Sequence, residues 1–301
     1  MRNGLTQKDL DSLKIPYTQS QLLLLRSQRL VQRQQRVYKT SVPILDEEQT
    51  IKLRKQSRFV AKQIFQGIEK NCNELVIYLS KNNRSKNAFS ILFSYVLDGL
   101  IWNKLEKEKL IEERDGTNIW SGSYWFLTPK RPFECGTNSM SAGRNHKLSI
   151  NWTNQSQDLL NNLFNANCDE FLYELEKKNT ITAAKLIEEF KPFGFFDKNN
   201  HLTIPVINEN SSDTLFSLSN HIVDKILSAF IKTTNTEELK TIYHFKDNNE
   251  SIVIFYHEVM WDILNLLLEN QTIQIPIIFD SPEKADVADI ADVCFLVTNK
   301  E

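Results

Sequence analysis

Arginine is absent from the second half of this chain, and glycine, proline and cysteine are scarce throughout it. Eight glycines and eight prolines in 301 residues argue against a many-turned β fold and for long helices. Cys72, Cys135, Cys168 and Cys294 lie far apart and form no CxxC pair, so neither a disulfide framework nor a zinc site is written here. Buried free thiols in a reducing compartment are expected instead. No run is expected to supply the ~20 apolar residues of a transmembrane helix; the Leu22–Leu25 block is closed by Gln21 and Arg26. The start, MRNGLTQKDL, has no hydrophobic signal core. A cytoplasmic protein with no membrane partner is expected.

Signatures of catalysis are missing too. There is no GxGxxG, Walker A or GxSxG sequence. The best constellation is His257-Glu258 with Asp262, but it lacks the second histidine of HExxH. Glu258 and Asp262 therefore read as a solvated polar face. Asp286, Asp289 and Asp292, spaced by three, read as an exposed acidic stripe. Cys135 with His146 is a remote thiol–base pair, since nothing in the sequence places the two side chains together. Trp120, Tyr124, Trp125, Phe126 and Phe133 read as a packed strand face rather than a stacking platform. No catalytic residue, metal site or cofactor is expected.

What the chain does have is apolar content, 41 % with 10 % aromatic, enough for the cores of about two domains. It also has an internal repeat. Shifted by 162 residues, Thr18–Ile111 falls on Thr180–Ile273 with 15 identities in 94 positions, where chance gives roughly six. Pairs such as Pro43/Pro205, Glu47/Glu209, Leu53/Leu215, Phe93/Phe255 and Leu105/Leu267 carry it. Tyr124–Pro129 resembles Ile277–Pro282 after a length change, and each half closes on an apolar run, Leu148–Asn154 and Cys294–Asn299.

Within the first half, Thr6 with Asp9 reads as the cap of a short helix that Pro16 breaks. Thr18 caps a second helix to about Leu30. Strand-like residues follow with Gln34 and Gln35 at a hairpin tip, and Asp46 caps a long helix through about Ile68. A further helix spans about 87–111, and Trp120–Phe126 and His146–Trp152 read as strands. The second half repeats the order: a capped helix at Thr180–Phe190, a hairpin turning near Asn199-Asn200, and a long helix to about Ile231. This helix–turn–helix–hairpin order resembles the winged-helix superfamily, regulators of the MarR type among them, over residues 5–70. The fold expected is α+β, mainly helical, a tandem duplication of a winged-helix-like unit with additional helices. Residues 1–154 would form copy one and residues 155–301 copy two.

The net charge of −2 conceals an asymmetry. Residues 1–154 hold 25 Lys and Arg against 14 Asp and Glu, a net of +11, and residues 155–301 hold 11 against 24, a net of −13. All eleven arginines are in the first half. The arginine fork binds phosphate and guanine bidentately, so the nucleic-acid-binding residues expected are Thr18, Gln19, Ser20, Gln21, Arg26, Arg29, Arg33, Arg36 and Lys39. Lys52, Arg54, Lys55, Arg58 and Lys62 would make the next helix basic. Two partners follow: double-stranded DNA bound by copy one, with copy two serving regulation or dimerisation, or a homo-oligomer paired through the basic and acidic halves.

Overall fold

The computed structural model describes residues 4–14, 16–112, 124–141, 145–178 and 180–298. The chain is mixed α+β and mainly helical. In chain order it begins with β1 (Leu5–Thr6), α1 (Gln7–Ser12), α2 (Gln19–Ser27), β2 (Val31–Gln34), β3 (Val37–Thr40) and β4 (Ile44–Leu45). Next come α3 (Glu47–Lys81) and a helical run through α4 (Ala88–Ser90), a π-helical stretch (Ile91–Leu100) and α5 (Ile101–Lys107). Strands β5 (Phe126–Leu127), β6 (Gly136–Ser141) and β7 (His146–Trp152) precede α6 (Gln157–Phe164), α7 (Cys168–Lys178) and α8 (Ala184–Phe190). The chain closes with β8 (Val206–Asn208), α9 (Thr214–Thr233), α10 (Thr236–Tyr243), α11 (Asn248–Glu269), α12 (Ile277–Asp280), a 3-10 helix (Val287–Val293) and β9 (Cys294–Thr298).

Two compact units result, and each draws on both halves of the sequence. One comprises residues 1–59, 106–131 and 235–259. It holds a three-stranded antiparallel sheet in the order β1-β3-β2 and the parallel pair β4–β5. The other comprises residues 60–105, 132–234 and 260–301. Its sheet runs β6-β7-β9-β8, antiparallel except between β8 and β9. Strand β9, buried along its length, is the centre of that sheet. Beside it Asn87, itself buried, donates from Nδ2 to the carbonyls of Ala291 at 2.7 Å and Cys294 at 3.2 Å.

At the 162-residue shift some element ends coincide, although unbroken α3 falls on two helices, α9 and α10. Ile44–Leu45 of β4 fall within β8, Lys81 at the end of α3 falls on Tyr243 at the end of α10, and Lys107 at the end of α5 falls on Glu269 at the end of α11. Lys109 and Gln271, the matching positions just beyond, share a left-handed backbone at φ 57° and 56°. The identical pairs Leu53/Leu215, Ser57/Ser219, Ile64/Ile226, Phe93/Phe255, Ile101/Ile263, Leu105/Leu267 and Ile111/Ile273 are buried at both positions. Seven of the 15 identical pairs are thus buried at both positions. Leu24/Leu186 departs from this pattern: Leu24 is exposed and Leu186 buried.

Some expected features differ. Tyr124–Pro129 and Ile277–Pro282 do not correspond, because the first contributes a strand and the second a helix. Helix α3 continues to Lys81, since Ile68, Cys72, Leu75 and Leu79 extend its buried stripe. In the second half Thr180 caps nothing. Helix α8 starts at Ala184 without a side-chain cap, and the segment leading into it is held by α7, where Glu174 Oε1 accepts the Thr182 and Ala183 N–H groups at 3.0 Å each. Among the described residues α11 is long and apolar enough to span a membrane, contrary to expectation, but 72 % of its most apolar window is buried within the protein. Of the expected strand at Trp120–Phe126, residues 120–123 lie outside the described residues.

Candidate nucleic-acid interface

The N-terminal module is built from two short capped helices and a hairpin. Thr6 accepts the Asp9 N–H at 3.2 Å while Asp9 Oδ2 accepts the Thr6 N–H at 2.7 Å. Thr18 and Gln21 repeat this reciprocal box on α2, at 3.1 and 2.7 Å. Leu10, Leu22, Val31 and Tyr38 form a small core, with Leu5, Tyr17 and Leu25 packed on it. The sheet registers Leu5 with Tyr38 and Arg33 with Tyr38, so β3 is the central strand.

Helix α2 ends in a left-handed turn. Arg29 has φ 58°, and the Leu30 N–H reaches back to the Leu25 carbonyl at 2.9 Å. Glycine is the ordinary residue at such a position because a Cβ is strained there. The second half uses it: Gly194, at φ 77°, is followed by Phe195, whose N–H reaches the Phe190 carbonyl at 3.4 Å.

All nine expected residues are exposed on this module. Their roles differ. Thr18 and Gln21 are occupied in capping α2, which takes one of the two acceptor sites of Gln21 Oε1. Gln19 and Ser20 occupy the first turn, and Arg26 the last. Arg33 lies with its guanidinium 5.4 Å from the centre of the Tyr38 ring, a cation–π contact that holds it against the hairpin. Arg36 sits in the hairpin turn, and Lys39 pairs in register with Gln32 on the outer face of the sheet, away from buried Tyr38. Beside the module, Gln7, Asp11, Pro16, Tyr17 and Gln19 line an open cleft, in which the Tyr17 hydroxyl donates to Asp11.

Between Asp11 and Asp46 the sequence has six cations, Lys14, Arg26, Arg29, Arg33, Arg36 and Lys39, and no carboxylate. None of Arg26, Arg29, Arg33, Arg36 and Lys39 makes an ion pair among the described residues. Other cations of the first half are differently placed. Arg54 Nε and Arg131 Nη2 both donate to Glu258 Oε2, at 2.8 and 2.7 Å, and Arg54 Nη1 donates to the Pro129 carbonyl at 2.8 Å. Lys86 pairs with Asp289 at 3.4 Å and Asp292 at 3.2 Å, and Lys104 with Asp224. In each case a first-half cation meets a second-half acid. The basic face expected on α3 is thereby reduced: Lys52, Lys55 and Lys62 are exposed, but Arg54 is turned into the Glu258 cluster and Arg58 is half-buried.

The alternative sites resolve on the same terms. Glu258 and Asp262 are buried, at 3 % and 5 % exposure, and are not a solvated face. His257 Nδ1 contacts the Val253 carbonyl at 2.8 Å, and its ring lies 4.6 Å from that of Trp125. Asp286 caps the final 3-10 helix, and three-residue spacing in such a helix puts Asp289 and Asp292 on one line. That line faces Lys86, so these acids are paired and not an open stripe. Burial pushes the Asp292 carboxyl above its ordinary value, with Lys86 opposing the shift. Among the described residues no group of three His, Cys, Asp or Glu could hold a metal ion.

Burial also raises every thiol, Cys168 to about 11 and Cys72 to about 12, with Cys135 and Cys294 also pushed well above the ordinary thiol value, which disfavours a thiolate nucleophile at neutral pH. Cys135 precedes Gly136, which pairs with Trp152 at the far end of β7 from His146. Six strand steps, about 20 Å, separate the two ends. Of the aromatic run, Tyr124 and Phe126 are exposed, Trp125 packs at a tilt against His257 and Phe133 meets Phe89 edge-on, so a single packed strand face is not formed. Residue 120 lies outside the described residues.

Sequence reasoning overlooked two residues of α2. Leu23 and Leu24 are 63 % and 58 % exposed, whereas Leu22 beside them is 4 % exposed. A four-leucine run reads as core, and only the helical phase set by the Thr18 cap separates its members. No family model, no curated protein and no solved structure matches the chain.

Proposed function

We propose that this chain is a DNA-binding regulatory protein built by tandem duplication of a winged-helix-like unit, and that its first copy holds double-stranded DNA through α2 and the β2–β3 hairpin. The duplication is supported by the coincident element ends and matched burial at the 162-residue shift. The module order β1-α1-α2-β2-β3 with β3 central suits a winged helix. The observation that carries the DNA reading is the set of six cations between Asp11 and Asp46 without a single acid. Arg29 adds to it, since an arginine occupies a left-handed turn that glycine would fill with less strain.

A second reading, pairing of the basic and acidic halves, is favoured by the Arg54–Glu258, Arg131–Glu258 and Lys86–Asp292 pairs. Those pairs lie within one chain and use none of the nine interface residues. The two readings are compatible: the second half neutralises the buried part of the first, and the exposed part is left for a polyanion. Dimerisation through the same acids is then unnecessary, and a cytoplasmic monomer is the simplest form.

The test is a titration of the full chain with a labelled duplex. Neutralising about five phosphates makes affinity fall about a thousandfold between 50 and 200 mM salt. Saturable binding at 50 mM that collapses at 200 mM supports the proposal. No duplex binding at 50 mM rejects it.

A further inference from the structure

The outward side of α2 has a chemistry of its own. Ser20, Leu23, Leu24 and Ser27 are spaced i, i+3, i+4 and i+7, which places them along one stripe of the helix. All four are exposed, while Leu22 and half-buried Leu25 on the opposite side face the small core. Ser27 Oγ donates to the Leu24 carbonyl at 2.8 Å, so its one proton is used within the helix. The two leucines are therefore the dominant outward groups.

Their surroundings decide what they meet. The stripe belongs to a stretch with six cations and no carboxylate, which complements a polyanion. Within α2 the lone cation is Arg26, in the last turn, and there is no acid. The other cations are Lys14 before α2, Arg29 just after it, and Arg33, Arg36 and Lys39 on the hairpin, where they suit phosphates rather than base edges. The helix thus lacks the carboxylates that pair with cytosine, and lacks an arginine for guanine in its first two turns. It offers instead Gln19, whose amide can pair with adenine, and two apolar side chains that match the one apolar group in the major groove, the thymine 5-methyl.

We infer that Leu23 and Leu24 read thymine methyl groups and that the DNA selected by this chain is A·T-rich. The inference rests on the DNA-binding reading above, which can stand without it. Leu23 and Leu24 supply apolar contact to successive thymines, Gln19 supplies the adenine contact, and the flanking cations hold the backbone.

The full chain is titrated at low salt with three duplexes of equal length: one of A·T pairs, the same sequence with deoxyuridine for thymidine, and one of G·C pairs. Deoxyuridine removes the 5-methyl and leaves the Watson–Crick pairing unchanged. The A·T duplex is expected to bind about tenfold more tightly than the G·C duplex, and the uridine duplex several-fold more weakly than the A·T duplex. The combined substitution Leu23→Ala and Leu24→Ala, at exposed positions, is expected to abolish the thymidine–uridine difference. Equal affinity of the native chain for the thymidine and uridine duplexes overturns the inference while DNA binding stands. Failure to bind any of the three overturns both.

Discussion

Glu258 Oε2 accepts a 2.8 Å hydrogen bond from Arg54 Nε across 204 residues of chain, joining the acidic half of the sequence to the basic half. Arg131 Nη2 approaches the same oxygen at 2.7 Å, and the Glu258 side chain is 4 % exposed. Removing the charge leaves two guanidiniums in a largely desolvated place. Glu258→Gln is expected to lower stability by about 3–5 kcal/mol, the cost of breaking a buried ion pair from one side. Urea denaturation of both proteins measures it, and a loss below about 1 kcal/mol would contradict the structural role given to this residue.

Gly194 is a second point where one atom matters. It has φ 77°, and a Cβ there would lie 2.2 Å from the Ala288 carbonyl oxygen. Gly194→Ala therefore combines left-handed strain with a clash against backbone. A loss of at least about 2 kcal/mol is expected, read as a lower midpoint in thermal or urea unfolding. An unchanged midpoint would show that α8 and the final 3-10 helix are not packed this closely.

Stability should also depend on pH through Glu174. Burial opposes its ionisation, but the Thr182 backbone and hydroxyl donors, with Lys178 and Ala183, outweigh burial and hold its carboxyl below the usual 4.5. A depressed folded-state pKa contributes stability that is present above the unfolded value and lost as pH falls through the folded one. The stability gap between the native chain and Glu174→Gln should accordingly be constant near neutrality and close below about pH 4.5. Unfolding midpoints across that range provide the check; a gap that widens on acidification would reverse the sign.

Arg29 separates binding from folding. Because it occupies a left-handed position, Arg29→Gly is expected to leave stability unchanged or raise it by up to about 1 kcal/mol. Duplex affinity should nevertheless fall roughly three- to tenfold from the loss of one phosphate contact. If affinity is unchanged, Arg29 is a tolerated turn residue and not part of the interface.

The local elements were legible because their signals are local. Thr6 with Asp9 and Thr18 with Gln21 form the reciprocal caps their spacing implies, and β7 spans His146–Trp152 as its apolar alternation indicates. Long-range pairing was not legible. Glu258, Asp289 and Asp292 read as solvated because each looks polar along its own helix; their cations, Arg54, Arg131 and Lys86, are more than 120 residues away in sequence. The same blindness hid the anchor of the segment leading into α8, which Glu174 supplies from another helix. At the interface the cations were visible from composition, but Leu23 and Leu24 were not. Their exposure depends on a phase that the four-leucine run conceals.

The salt dependence of duplex binding tests the central claim most directly. A log–log plot of affinity against salt is expected to have a slope of about −5 for the native chain, reduced by about 2.7 when Arg29→Ala, Arg33→Ala and Arg36→Ala are combined. The three residues are exposed, so the variant should unfold at the native midpoint. An identical slope for the two proteins, or no binding by the native chain, would contradict the placement of DNA on α2 and the hairpin.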